Sequence, residues 1–516
     1  MTDRQGTQQS GPAGASNASG EEAARPLGGS VLRGTLWSVG MRWGVRLLGL
    51  VNIAVIARIL TPADFGLVAM AMAVVALTGV LLDFGVEWAL LRNKHADRAD
   101  YDTSWTIRMM QGAAIALIVA ACGPLAADYY NDERIGTLVY FTAAAVFVQG
   151  LENIGTIDFR KKLQFNKDFR YNMTTQVAAV IVSIALAFVF RNYYSLVLAQ
   201  LFRSAFTVGL SYVVSDYRPR LSLERARGIW GFSQWNLING IAHFLQNRSG
   251  TFILGRFVGP SDIGFYAQAS EIADLATTDL VMPLNRVLVP GFAQLADDAE
   301  RAASAFLKAL AGTLMVATPV SVGLALVAPE VVRLWLGAQW GGVVPLVQIL
   351  AIFATTRAIS AVSGSMLTVL GFYRFNAITG WMQAVLFVGG AIWAVQQAGT
   401  AGVAWVQAAV GIIAALTCMF WLVRLSPVRL LPLIGAIWRP LAASAVMIGA
   451  VMGVAGAAVA SGSAALSGPV GLLLVKMATG AVAYTVSALA LWWVSGRPDG
   501  LERLVLAQVK RRLGRA

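Results

Sequence analysis

The chain has 516 residues, of which 57% are hydrophobic and 13% are charged, and its formal net charge is +13. Soluble domains carry about 25% charged residues, so the composition excludes an ordinary water-soluble protein and favours one that lies in a lipid bilayer. The two cysteines, Cys122 and Cys418, both fall in apolar stretches, which is typical of neither a disulfide framework nor a metal site.

The N-terminal segment 1–30 is polar, rich in Gly, Ser and Ala, and lacks an apolar run before a small-residue cleavage site. This composition predicts a disordered cytoplasmic tail and not a signal peptide. Apolar stretches close to the roughly 20 residues that cross hydrocarbon then recur to the end of the chain. They are too long and continuous for the alternating strands of a β-barrel. We expect an all-α integral membrane protein with fourteen transmembrane helices, near 34–58, 64–90, 105–127, 133–156, 173–190, 194–214, 235–257, 263–290, 306–328, 342–369, 376–397, 400–423, 437–460 and 470–494.

The positive charge is concentrated in alternate connections between the predicted spans. Lys and Arg cluster after the second, fourth, sixth and twelfth spans, whereas the connections at 398–402 and 461–469 carry no charge. The positive-inside rule therefore predicts that both termini lie in the cytoplasm, which requires an even number of spans. Charge in this arrangement meets anionic membrane lipids, so we expect no nucleic-acid partner.

One turn pattern, Arg-x-x-x-Pro-x-Asp-x-Gly, occurs twice. It reads RILTPADFGL at 58–67 and RFVGPSDIGF at 256–265, an offset of 198 residues. The proline suits the first position of a helix, the aspartate its first turn, and the arginine the end of the preceding helix. Each copy thus predicts a capped helical hairpin on the external side of the membrane.

Further repeated segments indicate that the whole first half of the chain is duplicated. Phe169-Arg170-Tyr171-Asn172 and Tyr373-Arg374-Phe375-Asn376 are offset by 204 residues, and Gln200 and Gln407 by 207. An ancestral unit of six spans explains these offsets, and because six is even, the copies form parallel repeats related by a pseudo-twofold axis along the membrane normal. The predicted organisation is a tail at 1–30, a six-helix N-lobe at 31–214, a basic cytoplasmic linker at 215–233, a six-helix C-lobe at 234–425, two extra helices within 436–494 and a basic cytoplasmic tail at 495–516.

Polar side chains inside the predicted spans are costly in lipid and are therefore the candidate functional residues. Span one carries a cationic stripe and span seven a stripe of amides and one imidazole, and both are expected to line a cavity between the lobes. The substrate-binding candidates are Arg42, Arg46, Asn52, Asn236, Asn239, His243, Asn247 and Arg248. The ion-coupling candidates are Asp83, Asp274 and Asp279.

Structural roles for the same residues stay open. Arg42 and Arg46 can snorkel to the headgroups or pair with Asp83 to hold helices together. Asp274 and Asp279 can simply stabilise a lobe. No Gly-x-x-x-x-Gly-Lys-Ser/Thr loop occurs, so ATP hydrolysis by this chain is not expected, and we predict no cofactor, no metal site and no catalytic residue.

Four segments carry a resemblance to a known family. They are LLDFGVEWALLRN at 81–93, the turn at 58–67, VLVPGFAQLADD at 287–298 and LWLGAQWGGVVPLVQILAI at 334–352. The chain resembles, over about 31–425, the polysaccharide-transporter (oligosaccharide flippase) branch of the multidrug/oligosaccharidyl-lipid/polysaccharide exporter superfamily.

The resemblance implies a flippase of the bacterial plasma (inner) membrane. Its cargo would be an undecaprenyl-diphosphate-linked oligosaccharide for exopolysaccharide, capsule or O-antigen synthesis, moved by alternating access. The implied partners are this lipid-linked oligosaccharide, membrane lipids, a proton or sodium ion, and the polysaccharide polymerase and export machinery. Independently of the resemblance, arginine forks suit phosphate oxygens and amides suit sugar hydroxyls.

Three other functions share part of this sequence pattern. A multidrug exporter of the same superfamily would need an acidic, aromatic cavity, which the arginine stripe disfavours. A flippase for the peptidoglycan precursor shares the diphosphate chemistry and stays open. An integral-membrane glycosyltransferase or polymerase should carry a long external loop with catalytic acids, whereas the longest predicted external connection is about a dozen residues.

Overall fold

The computed structural model describes residues 27–81, 86–93, 95–226, 233–295, 297–460 and 468–496. The helices of the first half are α1 (Leu27–Ile59), α2 (Pro62–Leu81), α3 (Val86–Arg92), α4 (Arg98–Tyr130), α5 (Glu133–Gly150), α6 (Asp158–Lys161), α7 (Phe165–Phe190) and α8 (Tyr194–Val214). Those of the second half are α9 (Ser233–Asn247), α10 (Ser249–Phe257), α11 (Pro260–Ala293), α12 (Ala299–Trp335), α13 (Val343–Val369), α14 (Tyr373–Leu425), α15 (Leu430–Ala460) and α16 (Pro469–Val494). Short 3₁₀ turns lie at Ile154–Ile157 and Ala338–Trp340.

The fold is all-helical throughout the described residues, as the composition predicts. In this part of the chain ten helices are long and apolar enough to cross a membrane, or eleven if α5 and the segment Ile154–Lys161, bent by 66°, form one span. The 53-residue α14 contains two non-helical residues, Ala398 and Gly399. Gly399 has a φ of 55°, a conformation that glycine adopts at little cost, and it bends the helix between two apolar segments.

Local capping explains where several helices begin. Asp97 precedes α4, where its side chain accepts from the backbone N–H of Asp100 while Asp100 accepts from the N–H of Asp97, a reciprocal capping box. Asp132 precedes α5 and accepts from the backbone N–H of Arg134 at 3.0 Å. The Arg134 guanidinium also hydrogen-bonds the Asp132 carboxylate and holds its pKa below the ordinary value.

Both copies of the duplicated turn place their proline and arginine as the sequence predicts. Pro62 and Pro260 are the first residues of α2 and α11, and Arg58 and Arg256 lie in the last turns of α1 and α10. In the first copy the carboxylate of Asp64 accepts from the backbone N–H of Thr61 at 2.9 Å. The predicted positions of the proline and arginine are therefore confirmed in both copies, whereas a side-chain cap forms in the first copy and Gly259 provides none in the second.

The two turns also pack against each other, because α2 crosses α11 at very close range. A Cβ added to Gly66 would lie 1.8 Å from the carbonyl oxygen of Pro260, and one added to Gly264 would lie 2.0 Å from the carbonyl oxygen of Pro62. Each helix can approach the other only because a glycine stands at the crossing. The contact is reciprocal: the same position of each turn touches the same position of the other.

The arginines of the two turns also reach across, each to the end of a long helix in the other half. Arg58 donates to the carbonyl oxygen of Leu334 near the end of α12 at 2.6 Å. Arg256 donates to the carbonyl oxygen of Tyr129 near the end of α4 at 3.0 Å. The indole N–H of Trp340, itself fully buried, donates to the carbonyl oxygen of Ala57 at 2.8 Å. These contacts join the two halves at one end of the bundle, which we call the turn end.

The opposite end of the bundle holds the segment that leads out of the first half. Residues 215–226 lie on the first turns of α4, where the Tyr217 hydroxyl donates to Asp102 at 2.5 Å and the N–H of Arg220 donates to the same carboxylate at 3.0 Å. Burial and the hydrogen bond to Asp102 raise the pKa of Tyr217 above its ordinary value. The described part of the predicted basic linker is therefore fixed to the first half.

The last two helices are attached to the second half by a buried ion pair. Lys476 on α16 lies 2.7 Å from the carboxylate of Glu330 on α12, and the two side chains are 13% and 8% exposed. The Tyr484 hydroxyl donates to the carbonyl oxygen of Met315 at 3.0 Å. Helices α15 and α16 thus pack on each other and on α12.

Candidate substrate-binding site

The cationic stripe predicted for span one lies on α1, which packs on α7. The Arg46 guanidinium lies 3.6 Å from the carboxylate of Glu271 on α11, with the side chains 30% and 40% exposed. Since α1 belongs to the first half of the chain and α11 to the second, this pair spans the two halves. Partly exposed ion pairs contribute only about 0–1 kcal/mol, so its main effect is to orient the guanidinium.

Arg42 lies one turn before Arg46 on α1 and is half-buried. It forms no ion pair with any residue that the structure describes. Residues four apart on a helix are neighbours on one face, with Cβ atoms about 5–6 Å apart. Two guanidinium groups can therefore be presented to the same anion.

Asn52 follows on the same helix. Its side-chain oxygen is buried and accepts no hydrogen bond from the described residues. A buried polar group without a partner costs about 1–3 kcal/mol. The side-chain oxygen of Asn52 is therefore suited to accept a hydrogen bond from a ligand.

A second ion pair lies next to the first along α11. Arg357 of α13 donates to the Asp274 carboxylate at 2.5 Å, and its guanidinium lies 5.5 Å from the ring centre of Phe353. Asp274 is three residues after Glu271, an axial rise of about 4.5 Å. Adjacent turns of one helix thus hold two arginines, Arg46 from α1 and Arg357 from α13.

A polar pocket of about 410 Å³ opens beside Arg357. Helices α9, α11, α13 and α14 line it, and its volume falls within the range of about 300–1,000 Å³ that is usual for small-molecule sites. The lining residues with hydrogen-bonding side chains include His243, Asn247, Arg357, Ser360, Asn376 and Gln383.

Only some of the sequence-predicted residues with described side chains line the pocket. His243 and Asn247 lie on one face of α9 and both line the pocket, while Arg248 is exposed at the junction of α9 and α10. Asp274 reaches the pocket only through Arg357.

The remaining predictions fall partly or wholly outside the described atoms. Asn236 and Asn239 lie on α9 and Asp279 on α11, but their side chains lie outside the description, and Asp83 lies outside the described residues altogether.

Several residues of the site were not among the primary candidates. Glu271 and Arg357 are ionisable residues in apolar helices, and that signal alone would have selected them. Asn376 belongs to the repeated Tyr373-Arg374-Phe375-Asn376 segment, which indicates duplication and does not by itself indicate a ligand contact. Gln383 and Ser360 carry no distinguishing pattern.

Comparison with known proteins identifies the family. A family model described as polysaccharide biosynthesis protein matches residues 55–345, more than half of the chain. The chain belongs to this family. It is 26% identical over 380 residues to the lipopolysaccharide biosynthesis protein WzxC of Escherichia coli (strain K12), which covers 72% of this chain and 76% of that protein.

Two further likenesses agree with the family. The succinoglycan biosynthesis transport protein ExoT of Rhizobium meliloti (strain 1021) is 29% identical over 336 residues, covering 63% of this chain and 66% of that protein. Among solved structures, the lipid II flippase MurJ in an inward closed conformation matches with a TM-score of 0.72 and 13% identity, over 90% of this chain and 100% of that chain. At this identity the match shows a shared fold.

Proposed function

We propose that this protein is a flippase of the bacterial inner membrane that moves undecaprenyl-diphosphate-linked oligosaccharide units to the outer leaflet for polysaccharide synthesis. The observation that carries the proposal is the ion pair between Arg46 on α1 and Glu271 on α11, which joins the two halves one helical turn from Arg42. Family membership and the relatives named for lipopolysaccharide and succinoglycan biosynthesis support it. The protein acts as a transporter and not as an enzyme.

The proposed architecture has fourteen spans, with an N-lobe at 31–214 and a C-lobe at 234–425 as parallel repeats, and both termini in the cytoplasm. Support comes from the reciprocal packing of the duplicated turns, since two copies related by a twofold axis meet with the same residues in contact. Alternating access then consists of rocking of one lobe against the other around a site between them.

In the proposed site the arginines of α1 bind the diphosphate. A guanidinium keeps its charge at all relevant pH values and offers a planar fork to phosphate oxygens, and charge-assisted hydrogen bonds are about twice as strong as neutral ones. The Arg46 guanidinium is oriented by the Glu271 carboxylate. An arriving diphosphate therefore competes with this carboxylate for Arg46, while the polyprenyl tail can stay in the lipid.

Asp274, Asp279 and Asp83 are the proposed ion-coupling residues. For Asp274 the pair with Arg357 supplies a physical route: a proton or sodium ion on the carboxylate neutralises it and weakens its hold on the guanidinium. Ion binding would then change which partners Arg357 can take. The polysaccharide polymerase and export machinery are the proposed partners that receive the cargo.

A flippase for the peptidoglycan precursor is the second candidate, favoured by the structural match to a lipid II flippase. The test that separates the two is mass spectrometry of the protein purified from its native membranes with bound lipid. We expect an undecaprenyl diphosphate that bears a polysaccharide repeat unit. A bound peptidoglycan precursor would favour the second candidate, and recovery of cationic amphiphiles without any lipid diphosphate would contradict both.

A further inference from the structure

The pocket among α9, α11, α13 and α14 has the chemistry of a sugar site more than of a phosphate site. Its hydrogen-bonding groups are mostly neutral: amides from Asn247, Asn376 and Gln383, and a hydroxyl from Ser360. Neutral amides and hydroxyls both donate and accept, as sugar hydroxyl groups do. An anion, in contrast, needs donors alone.

Among the described residues that line the pocket, the one permanent charge, on Arg357, is balanced. Arg357 is paired with Asp274 at 2.5 Å, so the two side chains together are neutral, and the guanidinium offers a donor fork to the pocket. Hydroxyl groups of a sugar in the pocket can accept from the guanidinium. Phe353, 5.5 Å from the guanidinium carbon, and Val289 add apolar surface, which suits the C–H face of a sugar ring.

The pocket combines fixed groups with available ones. Gln246 donates to the carbonyl oxygen of Gly380 at 2.7 Å and Asn247 to that of His243 at 2.9 Å, which anchors two of the lining amides. The side chains of Asn376 and Gln383, in contrast, form no hydrogen bond with any residue that the structure describes. These two amides are therefore available to a ligand.

Two glycines keep the pocket open. A Cβ at Gly364 would lie 2.9 Å from the side-chain oxygen of Asn376, and one at Gly411 would lie 2.5 Å from the ring of Phe353. Both glycines line the pocket. Any side chain at either position would displace a residue that forms the wall, so the space depends on small residues at these points.

The pocket lies beside the proposed diphosphate site and away from the turn end. Helix α13 starts at Val343, three residues after Trp340 of the turn end, and the pocket extends along it to Thr368 at its other extremity. On α11, Asp274, which pairs with Arg357, is about one turn from Glu271, which pairs with Arg46. A ligand with a diphosphate at Arg42 and Arg46 can therefore extend sugars toward Arg357.

We infer that this pocket is a separate glycan subsite, which binds one or two sugar residues next to the diphosphate of the cargo through Asn376, Gln383 and the Arg357–Asp274 pair. The inference rests on the proposed function. It assigns the two parts of the cargo to two places. Arg42 and Arg46 bind the diphosphate that all these lipid-linked cargoes share, and the pocket binds the sugars that distinguish one glycan from another.

The test measures the binding of two probes to the full-length protein in nanodiscs. One probe is undecaprenyl diphosphate without sugar, and the other is the undecaprenyl-diphosphate-linked oligosaccharide extracted from membranes of the source organism. We expect the sugar-bearing lipid to bind the wild-type protein at least about tenfold more tightly, since each neutral hydrogen bond typically adds a factor of about two to ten.

The variants are Asn376→Ala, Gln383→Ala and the double variant. We expect the double variant to lose most of the preference for the sugar-bearing lipid while its affinity for sugar-free undecaprenyl diphosphate stays unchanged, which also shows that it is folded. Gln397→Ala, an exposed amide on the same helix and outside the pocket lining, is the matched control and should keep the preference.

The outcomes separate this inference from the proposed function. A wild-type protein that binds neither lipid contradicts the proposed function itself. A wild-type protein that binds both, with the same preference retained in the double variant, overturns the glycan subsite alone. Equal loss of both lipids in the double variant would also overturn it, because the pocket would then hold the diphosphate.

Discussion

Gly66 of α2 and Gly264 of α11 are 198 residues apart in the sequence and lie where the two helices cross. Each glycine leaves space for the carbonyl oxygen of the proline that starts the other helix, at 1.8 Å and 2.0 Å from the positions where a Cβ would be. With the crossed hydrogen bonds of Arg58 and Arg256, this contact closes the turn end of the bundle. The duplicated turn is therefore a contact between the two halves as well as the start of a helix in each.

Alanine at Gly66 or Gly264 should separate α2 from α11 at the turn end, because a methyl group cannot occupy a position about 2 Å from a carbonyl oxygen. Overpacking of this kind typically costs about 1–3 kcal/mol, enough to shift a balanced equilibrium between closed and open states by about 5- to 150-fold. The measurement is labelling of a cysteine placed at Ala71, which is fully buried, by a membrane-impermeant maleimide in a background without Cys122 and Cys418.

The control for this experiment is Gly79→Ala on the same helix, since an added Cβ there meets nothing within 4 Å. Labelling at position 71 should rise with Gly66→Ala and stay at the wild-type rate with Gly79→Ala. Equal rates in all three proteins would show that the turn end is not the part that opens.

Arg42→Ala and Arg46→Ala, singly and together, should abolish polysaccharide export while the protein still reaches the membrane, because each removes a charged fork from the proposed diphosphate site. Lysine at either position keeps the charge and loses the fork, so partial export is expected. Export is measured in cells that lack the native protein, with membrane abundance measured in parallel. Arg301→Ala, at a side chain that is 77% exposed, serves as control. Normal export in the double variant would place the diphosphate elsewhere, first at Arg248 or Arg357.

Asp274→Asn and Asp279→Asn should lower transport without lowering expression, and should change its dependence on pH or on sodium, if these carboxylates bind the coupling ion. For Asp274 the expected cause is the permanent loss of the ion pair with Arg357, because an amide does not carry the charge of the carboxylate. Transport into vesicles with imposed proton or sodium gradients measures the effect. Gradient dependence identical to that of the wild type in both variants would leave the two residues as structural.

Replacing Lys476 by Met should destabilise the attachment of α16 by about 3–5 kcal/mol, because it leaves the carboxylate of Glu330 buried without its counter-charge. The double variant Lys476→Met, Glu330→Leu should recover most of the loss, since it removes both charges. Thermal unfolding in detergent measures the change in Tm. Lys308→Met, at an exposed position of α12, should leave Tm close to that of the wild type; a double variant no more stable than Lys476→Met would count against the ion pair.

The 160–170 connection and both termini should face the cytoplasm, as the positive-inside rule predicts. A single cysteine at Lys161 should therefore react with an impermeant reagent only after the cytoplasmic side is exposed, whereas a cysteine at Thr61, in the first duplicated turn, should react from outside. Labelling of position 161 in intact cells would overturn the topology and with it the assignment of parallel repeats.

Local chemistry alone predicted a large part of this molecule. Length and hydropathy indicated helices in a bilayer, because a stretch of about 20 apolar residues spans the hydrocarbon as a helix, which satisfies its own backbone hydrogen bonds. The helix starts at Pro62 and Pro260 were predicted because the signals that begin a helix lie within one turn of each other. The cost of an ionisable group in lipid identified Arg42, Arg46 and Asp274 as candidates before their surroundings were known.

Only the tertiary structure decided which of these residues meet. Gly66 faces Pro260, and Arg357 faces Asp274 across 83 residues of sequence, contacts that no periodicity encodes because they depend on how helices cross. Arg46 was predicted to face a cavity, but its orientation toward Glu271 follows from the packing of α1 beside α11. The pocket at Asn376 and Gln383 arises in the same way: its residues come from four helices, and its volume is the space that their packing leaves unfilled.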